Sequence, residues 1–297
     1  MSHTPDMKEA SGPMTTPKVK TLSRAAGRFY VDPGNGNKHP GVTSVLKNIN
    51  KDFLQAWAAK LVAEEAVNNL DELIPLMRRN PEAAIDMLKG TPRRFTKKAA
   101  DEGTAAHDIF ERMAGGEDIK ARFLPEFLRP YRDHFAEFLD VCQPEYLAME
   151  ETVWSDKYGY AGSFDAKAKI GGQVIWLDNK TTRSGVHDEV GLQLSAYRFA
   201  EFIMAPDGSR TANDPGDGAA VLHVRPEGWH LTPVRADEEM FEVFLHLRSV
   251  FDWDELKKTV VSTPVASGPA GAKLVRRHRT PNAQTGDTLR PVKEAAA

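Results

Sequence analysis

The stretch GYAGSFDAKAKIGGQVIWLDNKTTRSGVHDEVGLQLSAY, residues 159–197, decides how this chain folds. Two runs, 161–170 and 173–181, flank Gly171-Gly172. A glycine pair between two such runs supplies the positive φ angles of a two-residue hairpin turn. If Ile170 faces Gln173, then Ala168 faces Ile175, Ala166 faces Leu177 and Asp165 faces Asp178. Alternate residues of a strand share a face. One side of the predicted ribbon is therefore apolar, and the other carries Asp165, Asp178 and Lys180.

Directly opposed residues in a ladder have Cβ atoms ~4.5–5.5 Å apart, and like charges so placed repel. Three arrangements offset that repulsion: a shared proton, a neighbouring cation such as Lys180, or a divalent metal held by both carboxylates. A solvated ribbon face with one salt bridge is the plain alternative. Asp is depleted in strands, however, and two of them in register beside a Lys argue for a site.

Upstream of the ribbon, residues 146–155 read as a strand joined to it by a four-residue loop, 156–159. That loop length sets Glu150 opposite Asp165, whereas a bulge would bring in Glu151. Further upstream, Thr91-Pro92 opens a long helix over 93–113, which Gly115-Gly116 ends. Gly103 within it costs about 1 kcal/mol relative to Ala, so its use is to let another group approach the backbone. His107 and Glu111 lie one turn apart on one face of this helix. Residues 125–141 form another amphipathic helix, bent near Pro130. Helices are also predicted over 42–49, 52–69, 71–78 and 81–88, the second with a core-facing stripe of Phe53, Leu54, Trp57, Ala58 and Leu61.

Downstream, 183–186 is a loop and 187–204 a helix with Gln193 and Tyr197 one turn apart. Residues 205–218 read as a polar loop, 219–224 and 229–234 as a second hairpin, and 237–258 as a helix. A short strand, 28–31, precedes a turn that contains GNGN; no GxxxxGK[ST] phosphate loop occurs anywhere in the chain. Four regions follow: a disordered tail over 1–24, a helical N-terminal region over 25–98 packed on the core, a core over 99–258, and a disordered tail over 259–297. The last carries a basic cluster, Lys273, Arg276, Arg277 and Arg279.

Of the 297 residues, 41% are hydrophobic and 27% charged, which allows a sizeable globular core. The single cysteine, Cys142, excludes an internal disulfide, a CxxC zinc site and a four-thiolate iron–sulfur cluster built by this chain alone. The N-terminal stretch lacks the apolar centre of a signal peptide, and no apolar run approaches the ~20 residues that span a bilayer. The expectation is a soluble, cytoplasmic protein with no membrane partner. Net charge is −3, so a nucleic-acid partner has to be met by a local patch.

His107, Asp165, Asp178, Lys180, Gln193 and Tyr197 follow one another on helix, strand, strand and helix. This order resembles the PD-(D/E)xK nuclease superfamily, in its RecB-like exonuclease branch. The matching text is GTAAHDIFE against GTxxHxxxE, GYAGSFD against GxxGxxD, LDNKTT against DxK followed by Thr, and QLSAY against QxxxY. Each motif is weak alone, and four in order are a strong signal. The segment HPGVTSVLKNINKDFLQAWAAKLVAEEAV, residues 39–67, also looks like the N-terminal part of phage-encoded relatives, so the resemblance covers about 38–197.

The resemblance implies an α/β fold with a restriction-endonuclease-like core, a central mixed sheet flanked by helices, and an added helical N-terminal region. It implies that His107, Asp165, Asp178 and the backbone carbonyl of Asn179 ligate Mg²⁺ or Mn²⁺, with Lys180 as the catalytic lysine beside Asp165 and Asp178. Gln193 and Tyr197 would hold the substrate strand or brace the site, and Glu150 would be a second-metal ligand or a support. With Cys142 alone, the chain resembles the members that lack an iron–sulfur cluster. The implied activity is metal-dependent exonucleolytic hydrolysis of linear DNA in phage recombination, repair or replication, in the host cytoplasm. A single-strand-binding or annealing protein is the implied partner, and relatives include both rings and monomers. An endonuclease or junction resolvase of the same fold, and a catalytically silent nucleic-acid-binding protein, are the alternative readings.

Overall fold

A computed structural model describes residues 18–261 of the chain. The N-terminal part opens with β1 (Thr21–Arg24), β2 (Gly27–Val31) and β3 (Lys38–Pro40), which form a three-stranded antiparallel sheet. Short helix α1 (Val42–Val45) and a 3₁₀ turn (Leu46–Asn48) lead into α2 (Phe53–Asn68), α3 (Leu70–Arg79) and α4 (Pro81–Lys89). Asn80 caps α4 by accepting from the Ala83 N–H, with Pro81 pre-set for the first turn. Then come α5 (Thr91–Ala114) and α6 (Arg129–Cys142), followed by β4 (Glu145–Met149), β5 (Thr152–Ser155), β6 (Tyr160–Ser163), β7 (Ala166–Ile170) and β8 (Gln173–Lys180). The chain closes with α7 (Glu189–Arg198), β9 (Phe202–Met204), β10 (Arg210–Ala212), β11 (Gly218–Arg225), β12 (Gly228–Val234), α8 (Glu238–Phe251) and α9 (Trp253–Val260).

The protein is α/β. Its central sheet is five-stranded and mixed, in the order β12-β11-β8-β7-β4, with β11 parallel to β8 and the other pairs antiparallel. Both faces are covered. On one, Trp176, Ala219 and Val221 pack with Val190, Leu194 and Phe244 of α7 and α8. On the other, Ala166, Ala168, Leu177, Ala220 and Leu222 pack with Ile109, Phe110, Phe135 and Phe138 of α5 and α6. Burial on both sides explains why 219–222 is a continuous apolar run rather than an alternating one.

The predicted turn is present: Gly171 and Gly172 have φ of 57° and 86°, and Ile170 pairs Gln173, Ala168 pairs Ile175 and Ala166 pairs Leu177. The plain alternative of a solvated face and one expectation about this ribbon are both corrected. The acid-bearing side is not an open face, because Trp176 on it is fully buried beneath Phe164, with ring centroids 4.7 Å apart. The 161–170 run is not one strand. It breaks at Phe164–Asp165, so β6 belongs to a four-stranded sheet, β10-β9-β5-β6, and β7 to the central one. The partner run, 146–155, breaks at the same level, where Glu150 takes φ 52°. Register survives the joint: Thr152 pairs Ser163 on one side and Met149 pairs Ala166 on the other. Between them the Phe164 N–H donates to Glu151 O and the Glu150 N–H to Asp165 O, at 3.1 and 3.0 Å.

Other boundaries move for tertiary reasons. The 187–204 helix stops at Arg198, because Phe202–Met204 pairs with β5 and Arg210–Ala212 then pairs with it in turn. The 237–258 helix divides at Asp252. Pro130 sits in the first turn of α6, where its missing N–H costs nothing, instead of bending a longer helix. The stripe on α2 is not core: Phe53 and Leu54 are 56% and 43% exposed, and no residue of α2 is buried. The N-terminal region is not purely helical, since β1 to β3 precede the helices and β1 falls within the expected tail. The expected division at 98/99 lies inside the unbroken α5. Residues 1–17 and 262–297, including the basic cluster, lie outside the described residues, while Thr259 and Val260 complete α9.

Candidate functional site

At the C-terminal end of β8 the central sheet delivers Asp178, Asn179 and Lys180 to one place. The β7–β8 ladder stops one pair short of Asp165, which occupies the bend between β6 and β7. Asp165 still meets β8: its Oδ2 accepts from the Asn179 N–H at 2.7 Å. His107 reaches the same carboxylate from α5, with Nδ1 3.8 Å from Asp165 Oδ2. The glycine one turn before His107 lets another group come close, because a Cβ on Gly103 would stand 3.1 Å from Thr181 Oγ1.

Asp178 is 2% exposed, and its neighbours account for that burial. Gln193 Nε2 of α7 donates to Asp178 Oδ1 at 2.7 Å, and the same nitrogen is 3.3 Å from the Tyr197 hydroxyl. Lys180 Nζ lies 2.5 Å from Asp178 Oδ2, an ion pair that engages the carboxylate's other oxygen. Tyr197 is buried in the core and braces Gln193 from below. Its ring fits because residue 162 lacks a Cβ, which would otherwise sit 2.6 Å from Tyr197 Cε1.

The charges are strongly perturbed. Burial, and then the charge of Asp178, push the Asp165 carboxyl up to about 8. Burial lowers His107, which keeps a neutral imidazole near neutral pH. For Lys180 burial acts downward, but Asp178 and Asp165 together outweigh it and raise the ammonium above its ordinary value. Two of the three offsets open at the level of sequence are present: Lys180 beside Asp178, and a proton retained by Asp165.

No protein-family model matches this chain, and no curated protein matches it.

Two clefts meet at the site. The first, about 780 Å³, contains His107, Asp165, Asn179 and Lys180 together with Glu111, Glu150 and Lys18. The second, about 960 Å³, runs between the 3₁₀ turn with the start of α2 and the β8–α7 connection, and it shares Lys180 and Thr182 with the first. Glu150 projects into the first cleft, where its Oε2 accepts from Lys18 Nζ at 2.6 Å. Lys18 lies in a stretch read as tail, and no local pattern marks it. Glu111 was marked only by its spacing from His107; burial and the charge of Glu150 raise its carboxyl.

The proposed ligands, carboxylate and carbonyl oxygens with one imidazole, are right in kind for a hard divalent cation. They are not drawn together as a finished cage: among the described residues no group of three or more His, Cys, Asp and Glu side chains is placed to hold a metal ion. The local bonds explain why. Lys180 and Gln193 engage Asp178, while the Asn179 N–H engages Asp165, so each carboxylate is turned to its own partner. Among the described residues no helix is long and apolar enough to cross a membrane.

Proposed function

We propose that this chain is a divalent-metal-dependent deoxyribonuclease of the PD-(D/E)xK kind, built on a restriction-endonuclease-like core and degrading linear DNA from its ends. The observation that supports this reading best is the meeting of a buried Asp178, the Lys180 ammonium, Asp165 and His107 where two clefts join. Asp165, Asp178, the Asn179 carbonyl and His107 would hold Mg²⁺ or Mn²⁺, the imidazole favouring tolerance of Mn²⁺. When bound, such an ion acidifies the attacking water and neutralises charge on the phosphate oxygens.

The chain's own groups have separable tasks. Lys180, held as an ammonium beside the Asp178 carboxylate, is placed to stabilise negative charge developing on the phosphoryl oxygens. Gln193 fixes the rotation of the Asp178 carboxylate and Tyr197 fixes Gln193, so both act on orientation. His107, kept neutral by burial, offers a ring nitrogen beside Asp165. Glu150, tied to Lys18, supports the edge of the site through its N–H bond to Asp165 O.

The test is cleavage of end-labelled linear DNA and of a covalently closed circle, with Mg²⁺ and Mn²⁺ in parallel. Linear DNA is expected to be degraded and the circle spared, with Asp178→Ala and Lys180→Ala both inactive yet folded by circular dichroism. Cutting of the circle would replace the exonuclease with an endonuclease or resolvase. Near wild-type cleavage by either variant would remove the site assignment.

A further inference from the structure

The two clefts differ in charge. The first sets Glu102, Asp108, Glu111, Glu150 and Asp165 against Lys18, Arg28, Lys180 and Arg183, a lining of mixed sign with no excess of cations. The second is lined by Lys47, Lys51 and Lys180, and Glu189, its one carboxylate among the described residues, is paired with Lys51 Nζ at 2.6 Å. Lys47 stands exposed on the 3₁₀ turn, and its ammonium has no ion pair or hydrogen bond among the described residues. In a chain of net charge −3, an uncompensated cation in a concave wall that leads to the Lys180 ammonium is a local basic feature of the sort a phosphate backbone requires.

Resting on the nuclease reading, we infer that the second cleft is the track along which the DNA strand reaches the carboxylates, with Lys47 anchoring a phosphate on its outer wall. Asn48 and Gln55 add neutral donors along the same wall, and Leu46, Ile49 and Leu54 give the sugars and bases an apolar floor. Among the described residues no Phe, Tyr or Trp lines the cleft, so the strand is held by its backbone and not by stacked bases. The track is therefore tolerant of sequence. Lys51 and Glu189 bridge the 3₁₀–α2 side to the first turn of α7, which fixes the width of the cleft before any strand enters.

Binding of a short fluorescein-labelled single strand, followed by anisotropy in EDTA over a series of salt concentrations, tests this directly. Each phosphate neutralised on a single strand contributes ~0.7 to the slope of log Kobs against log salt. Lys47→Ala is expected to weaken binding and reduce the slope by ~0.7, and Lys47→Arg to restore both. Lys169→Ala, on an exposed β7 position that lines neither cleft, is expected to leave affinity and slope unchanged. If the wild type binds and cleaves DNA while Lys47→Ala keeps its affinity and slope, the track is wrong and the nuclease reading stands. If the wild type neither binds nor cleaves any DNA, the nuclease reading falls and the track with it.

Discussion

Asp165 illustrates how much of this site is set by the surroundings of single residues. Its proton is held up to about 8 by burial and by Asp178, against an ordinary value of 3.8. The folded protein thus binds that proton more tightly than the unfolded chain does. Its contribution to stability is complete below pH ~4 and is lost as pH rises through about 8. In EDTA, the melting temperature of Asp165→Asn relative to wild type is expected to rise with pH over that window; a pH-independent difference would contradict the assigned coupling. Asp165, Asp178 and Lys180 were legible because a strand's period and a two-residue turn fix which residues coincide. Lys18 was not, since its partner Glu150 is separated from it by most of the N-terminal region and only tertiary folding joins them. The division of Asp178 between Gln193 and Lys180 was likewise invisible, because spacing along a helix names a face and not a hydrogen bond.

Among the elements, the β7–β8 hairpin and α5 could be read from sequence because their signals are local: a glycine pair, a Thr-Pro opening, a terminal Gly-Gly. The break at Phe164–Asp165 and the end of α7 at Arg198 could not, since both depend on distant partners, the four-stranded sheet in one case and β5 in the other. The exposed stripe of α2 shows the same limit. Its apolar spacing is genuine, but α2 has only the neighbouring helices against it, with Trp57 meeting Phe95 edge-on at 5.8 Å. Packing between β6 and α7 yields a sharper expectation. A Cβ at Gly162 would stand 2.6 Å from Tyr197 Cε1 and 3.0 Å from Val42 Cγ2. Overpacking of this kind costs ~1–3 kcal/mol, so Gly162→Ala should lower the urea midpoint and, by displacing Tyr197 and Gln193, weaken divalent-ion binding. A variant of unchanged midpoint would show that the ring has room to move.

On the scale of the whole molecule, the α/β class was legible and the 98/99 boundary was not, because it falls inside the continuous α5; α1 and the 3₁₀ turn share one core with α7 and α8. The described residues form no separate N-terminal module that a cut before residue 99 would release. One long antiparallel ribbon, β4-β5 folded against β6-β7, serves two sheets, and Asp165 and Glu150 stand at its fold. Any ligand that grips Asp165 is therefore also a splint across that articulation. Amide protons of Glu150 and Phe164 should exchange with deuterium more slowly once Mn²⁺ is added, and those of the distant β1 should not. What clamps the acids locks the hinge.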